Sequence, residues 1–249
     1  MASPLDILKK EIEPIKLPKK MNLAINLIQA FIKNNNQIGL KLAVLIAGSD
    51  VKIENNMTKF KVDELITLLK TDRRYLSNSL RKVIKVSFKY VDEQGNYGET
   101  TPIHSYEYSH DNKYLSIELS SKAVNLFRNL KTKKDEIGYQ FTQILTNNFM
   151  NCDVRDYKSK HTLKMLLLIE MISNFKFAKR KKFDVEELNG YFGTEYKRAA
   201  ELERKILRPV QDDLRLNSTI SFEYQPYYDG KKIKGFAIDI IDNKNLFNL

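Results

Sequence analysis

Lys197, Glu201, Arg204 and Arg208 recur at spacings of 4, 3 and 4, while Ala199, Leu202, Ile206, Val210 and Leu214 recur at 3, 4, 4 and 4. The first set is the charged stripe of a helix and the second is its apolar seam. A row of cations on a helix neutralises the phosphates of a duplex, and arginines near its leading end reach base edges. By type and position, Arg198 and Arg204 are the candidate base readers, because a guanidinium pairs with guanine through two hydrogen bonds. Glu201 accepts from a cytosine amino group or orients an arginine. Lys197, Lys205, Lys231, Lys232 and Lys234 are candidate phosphate contacts, which position a protein without specifying sequence. Residues Lys176 to Lys182 put five cations in seven positions. Read as a loop, they make Lys179 and Arg180 either a clamp on a phosphate backbone or a solvated charge run.

The elements that must hold these residues read in a definite order from His161 to Ile240: helix, short helix, long basic helix, β-hairpin. Ile220, Phe222 and Tyr224 alternate as a strand does, and Asp229-Gly230 between two β-rich runs is a hairpin turn. Helix-turn-helix followed by a lysine-tipped hairpin is a winged helix, a unit that places its long helix in the major groove. Pro209 falls inside the long helix, where it costs about 3 kcal/mol unless the helix bends or ends. It either kinks the helix behind a front half running from Tyr196 to Arg208, or starts a separate helix.

The N-terminal half repeats this logic. Residues 1–20 hold Pro4, Pro14 and Pro18 and read as an extended arm with little core of its own. A helical pattern runs from Met21 to Phe31, and a second apolar segment runs from Leu40 to Ala47 and closes at Gly48. Val62 to Leu69 is a short helix with Asp63 and Glu64 in its first turn, where the helix dipole favours acids. Thr71 and Asp72 are plausible caps for a helix from Arg73 to Ile84. That helix buries Leu76, Leu80, Val83 and Ile84, and presents Arg73, Arg74, Asn78, Arg81 and Lys82 as a parallel set of DNA contacts. Strand-like segments at Val86 to Val91 and Tyr114 to Leu119 make an irregular wing, and Ser120 to Leu130 makes a further helix. The expected architecture is α+β: the arm (1–20), a first winged-helix domain (21–150) and a second (151–249).

Composition sets the partner class. The chain of 249 residues carries a formal net charge of +11 and a pI near 9.4, which favours polyanions. A basic membrane-surface helix would need a free apolar face, and here those faces look committed to a core. The single Cys152 rules out a disulfide framework and a cysteine-based zinc finger. With no secretory pattern at the start and no apolar run of spanning length, the chain reads as cytoplasmic. His104, His110 and His161 form no His-x-His pair, so a metal-dependent nickase has no support. No phosphate-loop motif is present, and none of the 13 tyrosines stands out as a nucleophile. No catalytic site, metal or organic cofactor is expected.

A family resemblance rests on the same residues. Phe183-Asp184-Val185-Glu186-Glu187-Leu188 precedes Tyr191-Phe192-Gly193, followed by Tyr196-Lys197-Arg198, Leu207-Arg208-Pro209-Val210 and Asp212-Asp213-Leu214. Phe222-Glu223-Tyr224 and Lys231 to Phe236 complete the block. This resembles the C-terminal winged helix of plasmid replication initiator (Rep) proteins that bind iteron repeats at theta-type origins. The N-terminal half is similar more loosely, through Phe60 to Lys89 and Ser120 to Leu130. It departs from the family's opening helix at Asn34 to Asn36 and Gly39. The resemblance implies a sequence-specific DNA-binding protein that initiates plasmid replication, with a winged-helix transcriptional repressor as the alternative. It also implies contacts with host replication proteins, such as the replicative helicase or its loader, and a homodimer that represses its own promoter.

Overall fold

A computed structural model of the chain describes residues 15–34, 36–49, 51–91, 95–128, 141–151, 157–173 and 180–243. Where apolar spacing predicts helix from Met21, the chain forms strand β1 (Lys20–Ala24) and only then helix α1 (Ile25–Lys33). The override is tertiary: β1 pairs antiparallel with residues Phe141–Leu145, Met21 lying opposite Ile144, and a ladder decides what periodicity leaves ambiguous. The stretch ahead of β1 is docked more than its composition suggests. The Ile15 N–H donates to the Glu64 carboxylate at 2.7 Å, and Ile15 and Leu17 pack on the core.

Helix α2 (Gln37–Gly48) is buried at every position and packs against α1. It leads into β2 (Met57–Lys61), α3 (Val62–Leu68) and α4 (Arg73–Val83). Asp63 and Glu64 occupy the first turn of α3, and the Asp72 side chain caps α4 by accepting the Tyr75 N–H at 2.8 Å.

The expected first wing is corrected here. Its two segments do not pair with each other: β3 (Phe88–Val91) pairs with β4 (Tyr97–Thr100), and β5 (Ile103–Tyr108) pairs with β6 (Tyr114–Leu119). Each strand takes the partner nearest in sequence, which costs least loop-closure entropy. Leu115, Ile117 and Leu119 are buried in alternation. Helix α5 (Ser121–Arg128), strand β7 (Phe141–Leu145) and helix α6 (Thr146–Asn151) complete this half. Lys131 to Asp135, Leu130 and Cys152 lie outside the described residues.

The C-terminal half runs α7 (Tyr157–Ser173), β8 (Arg180–Asp184), α8 (Val185–Phe192), a basic helical rod from Ala199 to Asn217, β9 (Ile220–Asp229) and β10 (Lys232–Asp242). Its sheet order is β8-β10-β9, and that of the first half is β2-β6-β5. In both, a strand preceding two helices returns to pair with the last strand of the wing. Two winged-helix units therefore stand in tandem, the first with the β3–β4 hairpin inserted before its wing.

Arg180, Lys181 and Lys182 are expected in a loop; instead they open edge strand β8. Strand β10 needs a partner on its second side, and the lysine ammonium groups lie over aromatic rings: Lys181 over Phe183 at 5.0 Å and Lys182 over Tyr227 at 5.3 Å. Gly235, opposite Asp184, makes the pairing possible, because a Cβ there would sit 2.0 Å from the Phe183 carbonyl oxygen.

Two buried lysines repeat one device. Lys164 on α7 donates to the Phe192 carbonyl at the end of α8, at 2.8 Å. Lys41 on α2 donates to the Leu69 carbonyl just past α3, at 3.5 Å, and to the Met150 carbonyl at 2.9 Å. Each satisfies acceptors that a helix end leaves without partners.

Candidate nucleic-acid interface

The C-terminal unit builds its site from a helix-turn-helix. Asp184 and Glu187 form a reciprocal capping box at the start of α8, the Glu187 carboxylate accepting the Asp184 N–H at 2.7 Å. Gly193 closes α8 in the left-handed region at φ 69°. Asn189 then organises the turn: its Oδ1 accepts the Thr194 hydroxyl at 2.8 Å and the Tyr196 N–H at 3.1 Å, and its Nδ2 donates to the Tyr196 carbonyl at 2.8 Å. Lys197 and Arg198 follow directly and are both exposed. Spacing places Lys197 and Arg198 within the basic helix; the structure places them ahead of it, Arg198 being the residue that caps it. Asn189 escapes sequence reading because nothing distinguishes it from any polar helix residue.

The basic rod comprises α9 (Ala199–Leu202), a π-helical turn (Glu203–Leu207) and α10 (Arg208–Asn217). Pro209 falls in the first turn of α10, as a proline that starts a helical segment does, although the backbone stays helical through Leu207 and Arg208. The rod passes through without a break, and the Arg208 N–H reaches back to the Glu203 carbonyl. The widened turn lies over the carbonyls that the proline ring would crowd. Within the π turn, Arg204 and Lys205 are both exposed while Ile206 and Leu207 are both buried. The Glu203 carboxylate accepts from the Arg208 guanidinium and the Tyr224 hydroxyl, each at 3.2 Å. Burial raises the Tyr224 hydroxyl pKa, and Tyr224 with Glu203 raises that of Arg208.

The wing faces the same end. Strands β9 and β10 are joined by Gly230 and Lys231, with Gly230 at φ 58° in the first loop position. The ladder slips between Ile233 and Gly235, leaving Lys234 as a bulge. Lys234 Nζ sits 3.7 Å from the Asp184 carboxylate, which also accepts from the Tyr227 hydroxyl. Desolvation and that carboxylate push the Tyr227 hydroxyl up to about 12.

Between wing and rod lies a cleft of about 730 Å³, lined by Lys197, Arg198, Lys231, Lys232 and Lys234 together with Asp184 and Glu186. Among the described residues, Lys197, Arg198, Lys231 and Lys232 have no ion-pair partner, so their charge is available to a ligand. Arg204 is exposed in the same way, Glu201 is half-buried, and Lys205 Nζ lies 4.8 Å over the Tyr196 ring. Arg180 is tied instead to Asp239 at 3.6 Å and Gln225 at 3.0 Å. Lys176 and Lys179 fall outside the described residues.

On α4, Arg74, Asn78, Arg81 and Lys82 point outward as spacing predicts. Arg73 is held by Asp63 at 3.1 Å. Among the described residues no group of three or more histidines, cysteines or acids is placed to hold a metal, and no helix is long and apolar enough to cross a membrane.

Residues 184–240 match the family model described as "Initiator Rep protein, WH2". That span runs from the cap of α8 to the penultimate turn of the ladder in β10, the segment that contains the cleft. The structure superimposes on that of Pi initiator protein in complex with iteron DNA with a TM-score of 0.68, at 14% identity, over 92% of this chain and 99% of that one. A likeness at this identity shows a shared fold. A looser match, to domains 2 and 3 of RctB, has a TM-score of 0.43 at 9% identity, over 93% of this chain and 94% of that one. No curated protein matched the chain in a sequence search.

Proposed function

We propose that the chain, whose residues 184–240 match an initiator Rep WH2 model, binds tandem DNA repeats at a plasmid origin and initiates replication there. One observation carries the proposal: four exposed cations with no ion-pair partner among the described residues, Lys197 and Arg198 at the rod's entry and Lys231 and Lys232 on the wing, converge on one cleft. Winged helices grip a duplex between these two elements. Arg198 and Arg204 read bases, assisted by Glu201, and Lys197, Lys205, Lys231, Lys232 and Lys234 meet phosphates. Arg73, Arg74, Asn78, Arg81 and Lys82 serve the first unit in the same way, while Arg180 and Lys179 flank the second. Residues 21–150 make the first domain and 151–249 the second, so the two units address successive major grooves of one repeat. Recruitment of host replication proteins and a homodimeric repressor form belong to the same reading.

The test is a titration of the protein against duplex DNA from its own genetic neighbourhood at several salt concentrations. The expected result is a log affinity that falls with log salt by about 0.9 per phosphate neutralised, with one tandem-repeat fragment outcompeting random DNA. Binding that is indifferent to sequence would sink the base-reading assignments, and absence of binding would sink the function.

A further inference from the structure

We infer that the π turn at Glu203–Leu207 is a specificity determinant: it fixes which side chains of the basic rod are turned toward DNA. The inference rests on the DNA-binding reading above and goes beyond it, because it assigns sequence selectivity to backbone geometry as well as to the contacting side chains.

A π turn is equivalent to one residue inserted into an α-helix. Here the inserted residue changes the outer face. An extra residue adds about 100° of phase to a helix, so without it the front of the rod would face another direction relative to the seam behind it. With the turn in place, Arg204 and Lys205 are exposed and Ile206 and Leu207 are buried. The seam residues Leu202, Ile206, Val210 and Leu214 all stay inside, so the rear of the rod remains keyed to the core while its front is rephased.

Two features make the turn a fixed device and not a passing distortion. Pro209 stands two residues past it and has no N–H with which to restore the α pattern. The Glu203 carboxylate is gripped from both sides, by Arg208 across the turn and by Tyr224 from strand β9 of the wing. The wing thus holds the register of the helix beside which it lies.

The test separates register from charge. A variant lacking Lys205 has the same net charge as Lys205→Ala, yet it removes one residue from the turn and so shifts the front of the rod by about 100° relative to the seam behind it. Both variants should show a shallower salt dependence than the parent by the one lost cation. Lys205→Ala should keep the parent's preference for repeat over random duplex, and the deletion should lose about tenfold or more of it, the worth of one well-made base contact. Pro209→Ala supplies a second route should the deletion fail to fold. It keeps every charge and should lower the preference without changing the salt slope. If the deletion and Pro209→Ala both keep the parent's preference, the inference is overturned. If the parent itself shows no preference, the DNA-reading function fails and the inference falls with it.

Discussion

The Lys41 ammonium donates to the Met150 carbonyl across 109 residues of chain, at 2.9 Å and in a fully buried setting. It ties α2, the most buried helix of the first unit, to α6, whose Asn148 side chain in turn accepts and donates at Thr219 at the start of β9. Removing the ammonium leaves buried carbonyl oxygens short of a donor, which costs on the order of 1–3 kcal/mol. Lys41→Ala should lower unfolding free energy by about 3 kcal/mol in a denaturant titration, with Lys41→Met recovering the part due to packing. No loss in either variant would remove Lys41 from the set of residues that hold the fold.

Gly235 and Gly230 should respond very differently to alanine. At Gly235 the added Cβ meets the Phe183 carbonyl at 2.0 Å, so β8 has to leave β10, and a loss of about 3 kcal/mol or more is expected. At Gly230 the space is open and only the φ of 58° is strained, a cost of about 1 kcal/mol. Thermal melts of the two variants check the order.

Asn189→Ala should damage binding more than stability. Three hydrogen bonds that shape the turn before Lys197 are lost, at about 1 kcal/mol each. The misplaced Lys197 and Arg198 should weaken affinity for repeat DNA even where the protein stays folded. An unchanged repeat affinity would show that Asn189 does not set the position of those cations.

Stability should fall in alkali through Tyr191. Its hydroxyl is buried, donates to the Lys164 carbonyl at 2.8 Å, and is raised above its ordinary pKa of 10.0 by desolvation. Below about pH 10 both states hold the proton and the contribution is complete. Above it the unfolded chain releases the proton while the native state keeps it, so stability drops by up to about 1.36 kcal/mol per pH unit. Tyr191→Phe should remove that share of the slope, measured by urea unfolding at several alkaline pH values.

Salt dependence should sort the cations by the company they keep. Lys231→Ala and Lys232→Ala, without ion-pair partners among the described residues, should each reduce the slope of log affinity against log salt by about 0.9. Arg73→Ala and Arg180→Ala should change it less, since Asp63 and Asp239 already hold those guanidinium groups. Equal changes at all four positions would mean that these pairs open on binding.

Much of this was legible in the residues. The Asp229-Gly230 turn, the capped helix after Asp72 and the outward set Arg74, Asn78, Arg81 and Lys82 follow from local chemistry, and local chemistry was enough. Strands β1, β2 and β8 were not legible as strands. Each is short and polar or ambiguous in period, and each exists only because a distant strand offers an edge. The helix-turn-helix turn depends on Asn189, whose role is a geometry and not a pattern. The π turn was not legible, because seam spacings of 3, 4, 4 and 4 span an arc of about 120°, which an ordinary amphipathic helix also shows.

The shared sheet order has a consequence for how the chain is made. In each three-stranded sheet the central strand, β6 or β10, is the last to be synthesised, and the strands on either side have no hydrogen-bonded strand neighbour until it arrives. A nascent chain that has not yet delivered β10 carries β8 and β9 as two open edges, so assembly of the sheet waits on long-range closure and is slow relative to the helices around it. A chain interrupted a few residues after Gly230 would therefore lose the whole sheet and not merely one strand, with the grip on DNA lost alongside it.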